Sequence, residues 1–161
     1  MITYEKAAPK HIGDFIKLRV ELLCGIYNKP ESAFEGEFTR LSEEFFKSGD
    51  QTTMLAFDGE RAVGCATICY ITLMPTFDHP IGKRAHIMNV YTNADYRRQG
   101  IARQMVTMLI DEARARGVTY VSLDATEKGS PLYTSLGFAP NDENMGLNLQ
   151  SYIIGGVCSE Q

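Results

Sequence analysis

The segment Tyr96-Arg97-Arg98-Gln99-Gly100-Ile101-Ala102-Arg103 gathers residue types that bind anions, at a spacing a helix start can use. Amides in a helix's first turn have no intrahelical acceptor, and the positive end of the helix dipole adds to their pull on an anion. Gly100 and Ala102 remove the bulk that would hold a phosphate away, while Arg97, Arg98 and Arg103 add charge around the cradle. Arginines at the start of an exposed helix are as often plain solvated surface. From the residues alone, therefore, an anion cradle and a solvated helix end both stand. Other phosphate cradles lack their parts: Gly82-Lys83 has no glycine five residues upstream and no following Ser or Thr, and no GxGxxG follows a strand. Ser130 lies between Gly129 and Pro131, so a GxSxG nucleophile elbow is absent too. Cys24, Cys65, Cys69 and Cys158 show no CxxC spacing and His11, His79 and His86 lie far apart, so no metal site is expected.

The elements that must position this segment follow from periodicity. Ile2–Glu5 alternates as a first strand, and apolar residues at helical spacing predict a helix from His11 to Gly25. Ser32 and Glu35 have the spacing of a capping box ahead of a second helix that ends at Gly49. Thr52–Phe57 and Arg61–Leu73 are β-rich runs on either side of Asp58-Gly59, a hairpin signal. A strand over Arg84–Thr92 leads into the arginine segment, and the helix after Gly100 stops at Gly117. Tyr120–Leu123 reads as a strand, Pro131–Leu136 as a short helix, and Phe138 with Met145–Leu149 as a closing strand pair. This order predicts a single α/β domain over residues 1–150 with a sheet of mixed direction and a crossover helix joining parallel strands; residues 151–161 read as a frayed tail.

With 161 residues, 44% hydrophobic and 22% charged, the chain has the balance of a soluble globular domain. Its longest apolar-leaning run, Ala62–Met74, is too short for a spanning helix, and Met1–Lys6 shows no secretory signal, so a cytoplasmic protein without membrane contact is expected. Residues 1–60 carry 11 acidic side chains against 7 basic, whereas Lys83–Arg116 carries 7 basic against 3 acidic. An acidic chain with one short basic segment and no recognition motif argues against a dedicated nucleic-acid binder and for a smaller polyanion.

Arg97-Arg98-Gln99-Gly100-Ile101-Ala102 resembles the Arg/Gln-x-x-Gly-x-Gly/Ala signature of the GNAT superfamily of N-acetyltransferases. Leu132-Tyr133-Thr134-Ser135-Leu136-Gly137-Phe138 resembles that family's downstream Leu-Tyr-x-x-x-Gly-Phe motif, in the right order. The resemblance implies a mostly antiparallel sheet with a central splayed parallel strand pair and helices on both faces. It also implies acetyl-CoA as donor, a primary amine of a small molecule or peptide as acceptor, and no metal. Amides from Arg98 to Arg103, including those of Gln99, Gly100, Ile101 and Ala102, would cradle the pyrophosphate. Val90-Tyr91-Thr92 would run beside the pantetheine and acetyl group, and Tyr133 would be the general acid for the departing thiolate. Where many members carry Asn and Ala this chain has Thr126 and Gly129, so the resemblance leaves Thr126 or Ser130 to replace the Asn contact; capping the short helix is an equal alternative for Ser130.

An ammonium acceptor must lose a proton before it attacks, so a base is required. His86, four residues before Val90 and expected on the same strand face, holds the place of a glutamate in the histone-acetylating branch of the family. Glu21 lies on the first helix, which lines the acceptor side in this family; a water relay is the third option. The acidic residues Glu31, Glu35, Glu37, Glu43 and Glu44 either draw a cationic amine or simply solvate a helix face. A homodimer through the C-terminal strands is implied by the resemblance. A catalytically silent acyl-CoA-binding module is the alternative function.

Overall fold

The computed structural model describes residues 1–150 and the backbones of the short strand pair β6 (Tyr152–Ile153) and β7 (Gly156–Val157). The remainder of 151–161, including Cys158, lies outside the described residues. The main sheet holds β1 (Ile2–Lys6), β2 (Gln51–Asp58), β3 (Arg61–Thr72), β4 (Lys83–Thr92) and β5 (Tyr120–Leu123) in sequence order. The first three pairings are antiparallel and β4–β5 is parallel. The helices are α1 (Ile12–Tyr27), α2 (Glu37–Ser48), α3 (Ile101–Ala115) and α4 (Ser130–Ser135).

Both sheet faces are covered, which is why β2 and β3 read as nearly continuous apolar runs rather than alternating ones. Successive β2 residues feed opposite cores. Met54 and Ala56 join Met105, Val106 and Leu109 of α3, while Leu55 and Phe57 join Leu18 of α1 and Cys65. The β2–β3 hairpin pairs Asp58 with Arg61 across Gly59, which is left-handed at φ 61° as a tight turn requires.

The helix ends differ from expectation in informative ways. Gly25 lies inside α1; the stop is Asn28, left-handed at φ 49°, because an Asn side chain tolerates that region and tertiary contact carries the helix past the glycine. Ser32 and Glu35 do not form a capping box: Glu31–Phe34 is a separate 3₁₀ turn, and α2 begins after Gly36, with the Thr39 hydroxyl donating to the Phe34 carbonyl at 2.6 Å.

The expected strands at Phe138 and 145–149 are absent. Asn141 accepts from the Glu143 amide at 3.1 Å and Asn148 from the Gln150 amide at 3.0 Å, and such local side-chain bonds take up donors a ladder would use. Among the described residues no helix is long and apolar enough to cross a membrane.

Candidate active site

The parallel pairing of β4 and β5 ends early. It runs from Arg84–Tyr120 to Ile87–Leu123, after which β4 continues to Thr92 paired with β3 only. The β5-facing backbone groups of Met88–Thr92 are therefore left without a strand partner, and an extended amide-bearing ligand can pair with them.

A bulge shapes this free segment. Cys65 pairs with Tyr91 and Thr67 with Met88, so β4 advances three residues where β3 advances two. Asn89, at the bulge, has φ 57° and is buried. The extra residue reverses side-chain parity, which no even-spacing argument anticipates. Val90 packs on the α3 core and Tyr91 on the α1 core. His86 pairs with Cys69, which lines the cavity under α1 and α2, so His86 and Val90 occupy opposite faces. The expectation that they share a face is corrected.

From Thr92 the chain turns into α3 through two left-handed residues, Arg98 (φ 65°) and Gly100 (φ 79°). Left-handed backbone costs a non-glycine residue about 1–2 kcal/mol, so Arg98 marks a loop shaped for something other than stability. The first regular bond of α3 runs from Gln104 N to Gly100 O, and no side chain caps the helix, so the amides of Ile101, Ala102 and Arg103 have no acceptor in the helix. A Cβ on Gly100 would meet nothing within 4 Å, so the approach to these amides is open.

The arginines divide their tasks. Arg97 donates from Nε to the Thr92 carbonyl at 3.1 Å and sits 6.0 Å from the Tyr91 ring centroid. Arg103 donates to the Ser135 hydroxyl, tying the start of α3 to α4. Arg98 has no side-chain partner among the described residues. Gln99 is held locally, donating to the Asp95 carbonyl at 3.4 Å.

Tyr133, on α4, packs on the α3 core with its ring 6.0 Å from that of Phe138. Burial pushes its phenol above the usual tyrosine range. Thr126 closes the turn that leads into α4, its hydroxyl accepting from the Gly129 amide at 3.1 Å and its carbonyl from the Ser130 amide at 2.9 Å. No side chain caps α4 itself, and Ser130 is exposed with no side-chain bond among the described residues. Gly129 is small for a reason: a Cβ there would lie 3.1 Å from the Tyr133 ring.

On the other face, His86 shares a 2.8 Å hydrogen bond with Ser122, and its Nε2 is 3.7 Å from Asp124. Burial raises the Tyr91 phenol, and the nearby Glu21 carboxylate raises it further. Glu37 and Glu44 both engage Arg40 on the exposed side of α2. Sequence reasoning missed a cavity of about 410 Å³ under α1 and α2, with Phe15, Arg19, Phe38, Leu41, Phe45 and Met88 in its wall. Its only signal in the sequence is Arg19, a cation among the apolar residues of the first helix.

A free strand edge leading to an open helix N-terminus defines a site for a long phosphorylated ligand with an amide-bearing arm. The model of the acetyltransferase (GNAT) family matches residues 20–138. The chain belongs to that family. Among curated relatives, glucosamine 6-phosphate N-acetyltransferase of Trypanosoma brucei brucei is 32% identical over 55% of this chain and 58% of its own length. The enzyme of the same name from Arabidopsis thaliana is 25% identical over 88% of this chain and 91% of its own. A predicted acetyltransferase of Clostridium acetobutylicum, solved with acetyl-CoA, superimposes with a TM-score of 0.84 at 29% identity, covering 94% of this chain and 99% of that one.

Proposed function

We propose that this chain transfers an acetyl group from acetyl-CoA to a primary amine of a small molecule or peptide by direct attack. The observation that carries this reading is the free β4 edge beyond Ile87, running into the open N-terminus of α3. The residues present fit the donor. The amides of Arg98–Arg103 hold the pyrophosphate, the free backbone of Val90, Tyr91 and Thr92 pairs with the pantetheine amides, and Arg98 adds charge from outside. Bound there, acetyl-CoA supplies a thioester-activated acetyl group. The acetyl-CoA complex of the Clostridium acetobutylicum relative supports the assignment.

The two faces of the sheet then divide the proton work. Tyr133, held on the α3 face and kept protonated by burial, donates its hydroxyl proton to the departing sulfur. His86 and Glu21 lie on the opposite face, where an amine enters between α1, α2 and β4; either takes the ammonium proton, directly or through water. Cys65 does not compete as a nucleophile, because burial pushes its thiol up to about 12 and it therefore stays protonated. That favours direct attack over an acyl-enzyme. Thr126 serves the cofactor side indirectly by fixing the turn that leads into the helix carrying Tyr133.

The test combines calorimetric binding of acetyl-CoA with thiol release in the presence of an amine panel, the product identified by mass spectrometry. Binding together with amine-dependent thiol release and an acetamide product is expected. Binding without release from any amine would make the chain a silent acyl-CoA-binding module.

A further inference from the structure

Arg19 is a half-buried cation with no carboxylate partner among the described residues. Its Nη1 donates to Asn89 Oδ1 at 3.1 Å and its Nε to Ser42 Oγ at 3.3 Å, and the guanidinium lies 5.3 Å from the Phe38 ring centroid. Both hydrogen-bond acceptors are neutral. The placement is nevertheless well supported: Asn89 Nδ2 donates to Cys65 Sγ at 3.5 Å, and the Cys65 thiol donates to the Asn89 carbonyl at 3.3 Å. Holding a guanidinium among apolar side chains without a counter-charge is unfavourable, and the remaining N–H groups of its fork suit a carboxylate.

The walls around it say what else the ligand carries. Leu41, Phe45 and Met88 line the cavity and are 49%, 47% and 42% exposed, although large apolar side chains are normally covered. Phe15 and Phe38 complete the apolar wall. A cavity of about 410 Å³ falls in the range of small-molecule sites. Arg19 is its one cationic lining residue, which matches one negative charge better than the two of a phosphate. Because Arg19 is bonded to Asn89, and Asn89 immediately precedes Val90 beside the acetyl position, the anion must sit close to the amine within the acceptor.

Building on the proposed acetyl transfer, we infer that the acceptor is a free amino acid with a large apolar side chain: its carboxylate pairs with Arg19, its side chain fills the cavity between α1 and α2, and its amine faces β4. Arg19 is then the specificity-determining residue for the anion. The ammonium gives one proton to the base, the amine nitrogen bonds to the acetyl carbonyl carbon and the carbon–sulfur bond breaks; the sulfur takes a proton from Tyr133, and the second proton that nitrogen sheds as the amide forms restores the Tyr133 phenol through water.

The experiment compares kcat/KM for phenylalanine and for phenethylamine, which lacks only the carboxylate, in wild type, Arg19→Met and Arg19→Lys. Glucosamine 6-phosphate is run beside them. A charge-assisted pair is worth a factor of roughly 10–150, so wild type should prefer phenylalanine by that order. Arg19→Met should abolish the preference and Arg19→Lys retain part of it. Calorimetric binding of N-acetylphenylalanine, weakened in Arg19→Met but with acetyl-CoA affinity intact, gives a readout independent of turnover. Equal use of phenethylamine by wild type, an unchanged preference in Arg19→Met, or glucosamine 6-phosphate as the better acceptor would overturn the inference and leave the acetyl-transfer reading standing. Loss of acetyl-CoA binding, or no thiol release with any amine, would overturn both. Should Arg19→Met fail to fold, Leu41→Asp places a negative charge in the cavity wall, and phenylalanine must then lose more kcat/KM than phenethylamine for the inference to survive.

Discussion

Tyr133→Phe keeps the aromatic ring and deletes one oxygen, and the structure sets what each part is worth. The ring packs on the α3 core and edge-on to Phe138, so phenylalanine retains that contact. The hydroxyl has no protein hydrogen-bond partner among the described residues, so its removal orphans no buried group. Stability should change by less than about 1 kcal/mol, a shift in Tm of no more than roughly 2–4 °C for a chain of this size. Turnover should respond far more. General acid catalysis supplies about 10²–10⁴-fold, or roughly 2.7–5.4 kcal/mol of barrier. Burial raises the phenol, so it holds its proton through neutral pH, and the wild-type rate should lose its acid only above about pH 10. The assay is thiol release with the best amine across pH, with acetyl-CoA affinity and thermal unfolding measured on the same samples. The expected result is a 10²–10⁴-fold fall in kcat, unchanged cofactor affinity and loss of the alkaline limb. A folded variant turning over near the wild-type rate would refute the assignment, and a fall in stability matching the fall in activity would make Tyr133 structural.

Gly100→Glu should fold with a penalty of about 1–2 kcal/mol for its left-handed backbone, since no atom opposes the new side chain, yet lose calorimetric acetyl-CoA binding; unchanged affinity would dismiss the cradle. For Glu112, burial acts to raise the carboxyl but is outweighed by hydrogen bonds from Lys6 (2.6 Å) and Thr52 (2.7 Å), with Arg116 assisting, so it titrates below the usual range. That stability is present above the unfolded carboxylate value and lost as pH falls through the folded one. Glu112→Gln should therefore cost about 1 kcal/mol at pH 7 by denaturant unfolding, with a gap that narrows below about pH 4. His86→Gln should lower kcat about 10²-fold while leaving acetyl-CoA affinity unchanged; if Glu21→Gln has that effect instead, the base lies on α1.

The order of elements from Ile2 to Leu136, the glycine turn ahead of α3 and the short helix that carries Tyr133 are all legible in the primary structure. Each of these is encoded locally. Gly100 and Gly137 adopt left-handed backbone where glycine chemistry predicts it, Gly117 closes α3 as expected, and Tyr120–Leu123 forms the strand its β-branched and apolar residues favour. The two motif segments meet where Arg103 at the start of α3 donates to Ser135 on α4, with only α3 and β5 between them in the chain.

Which side each β4 residue faces depends on long-range pairing that no local window contains. The bulge at Asn89 arises from pairing with β3, more than 20 residues away in sequence, and one extra residue carries Val90 to the α3 core while His86 remains on the acceptor face. The cavity under α1 and α2 was illegible for the same reason: α1, β3 and β4 each contribute two residues and α2 four, and no local window contains them together. Arg19 reads in sequence as one more charge on a helix. It becomes chemically distinctive only where Asn89 and Phe38 meet it, since an unpaired charge matters once its neighbours have removed the water.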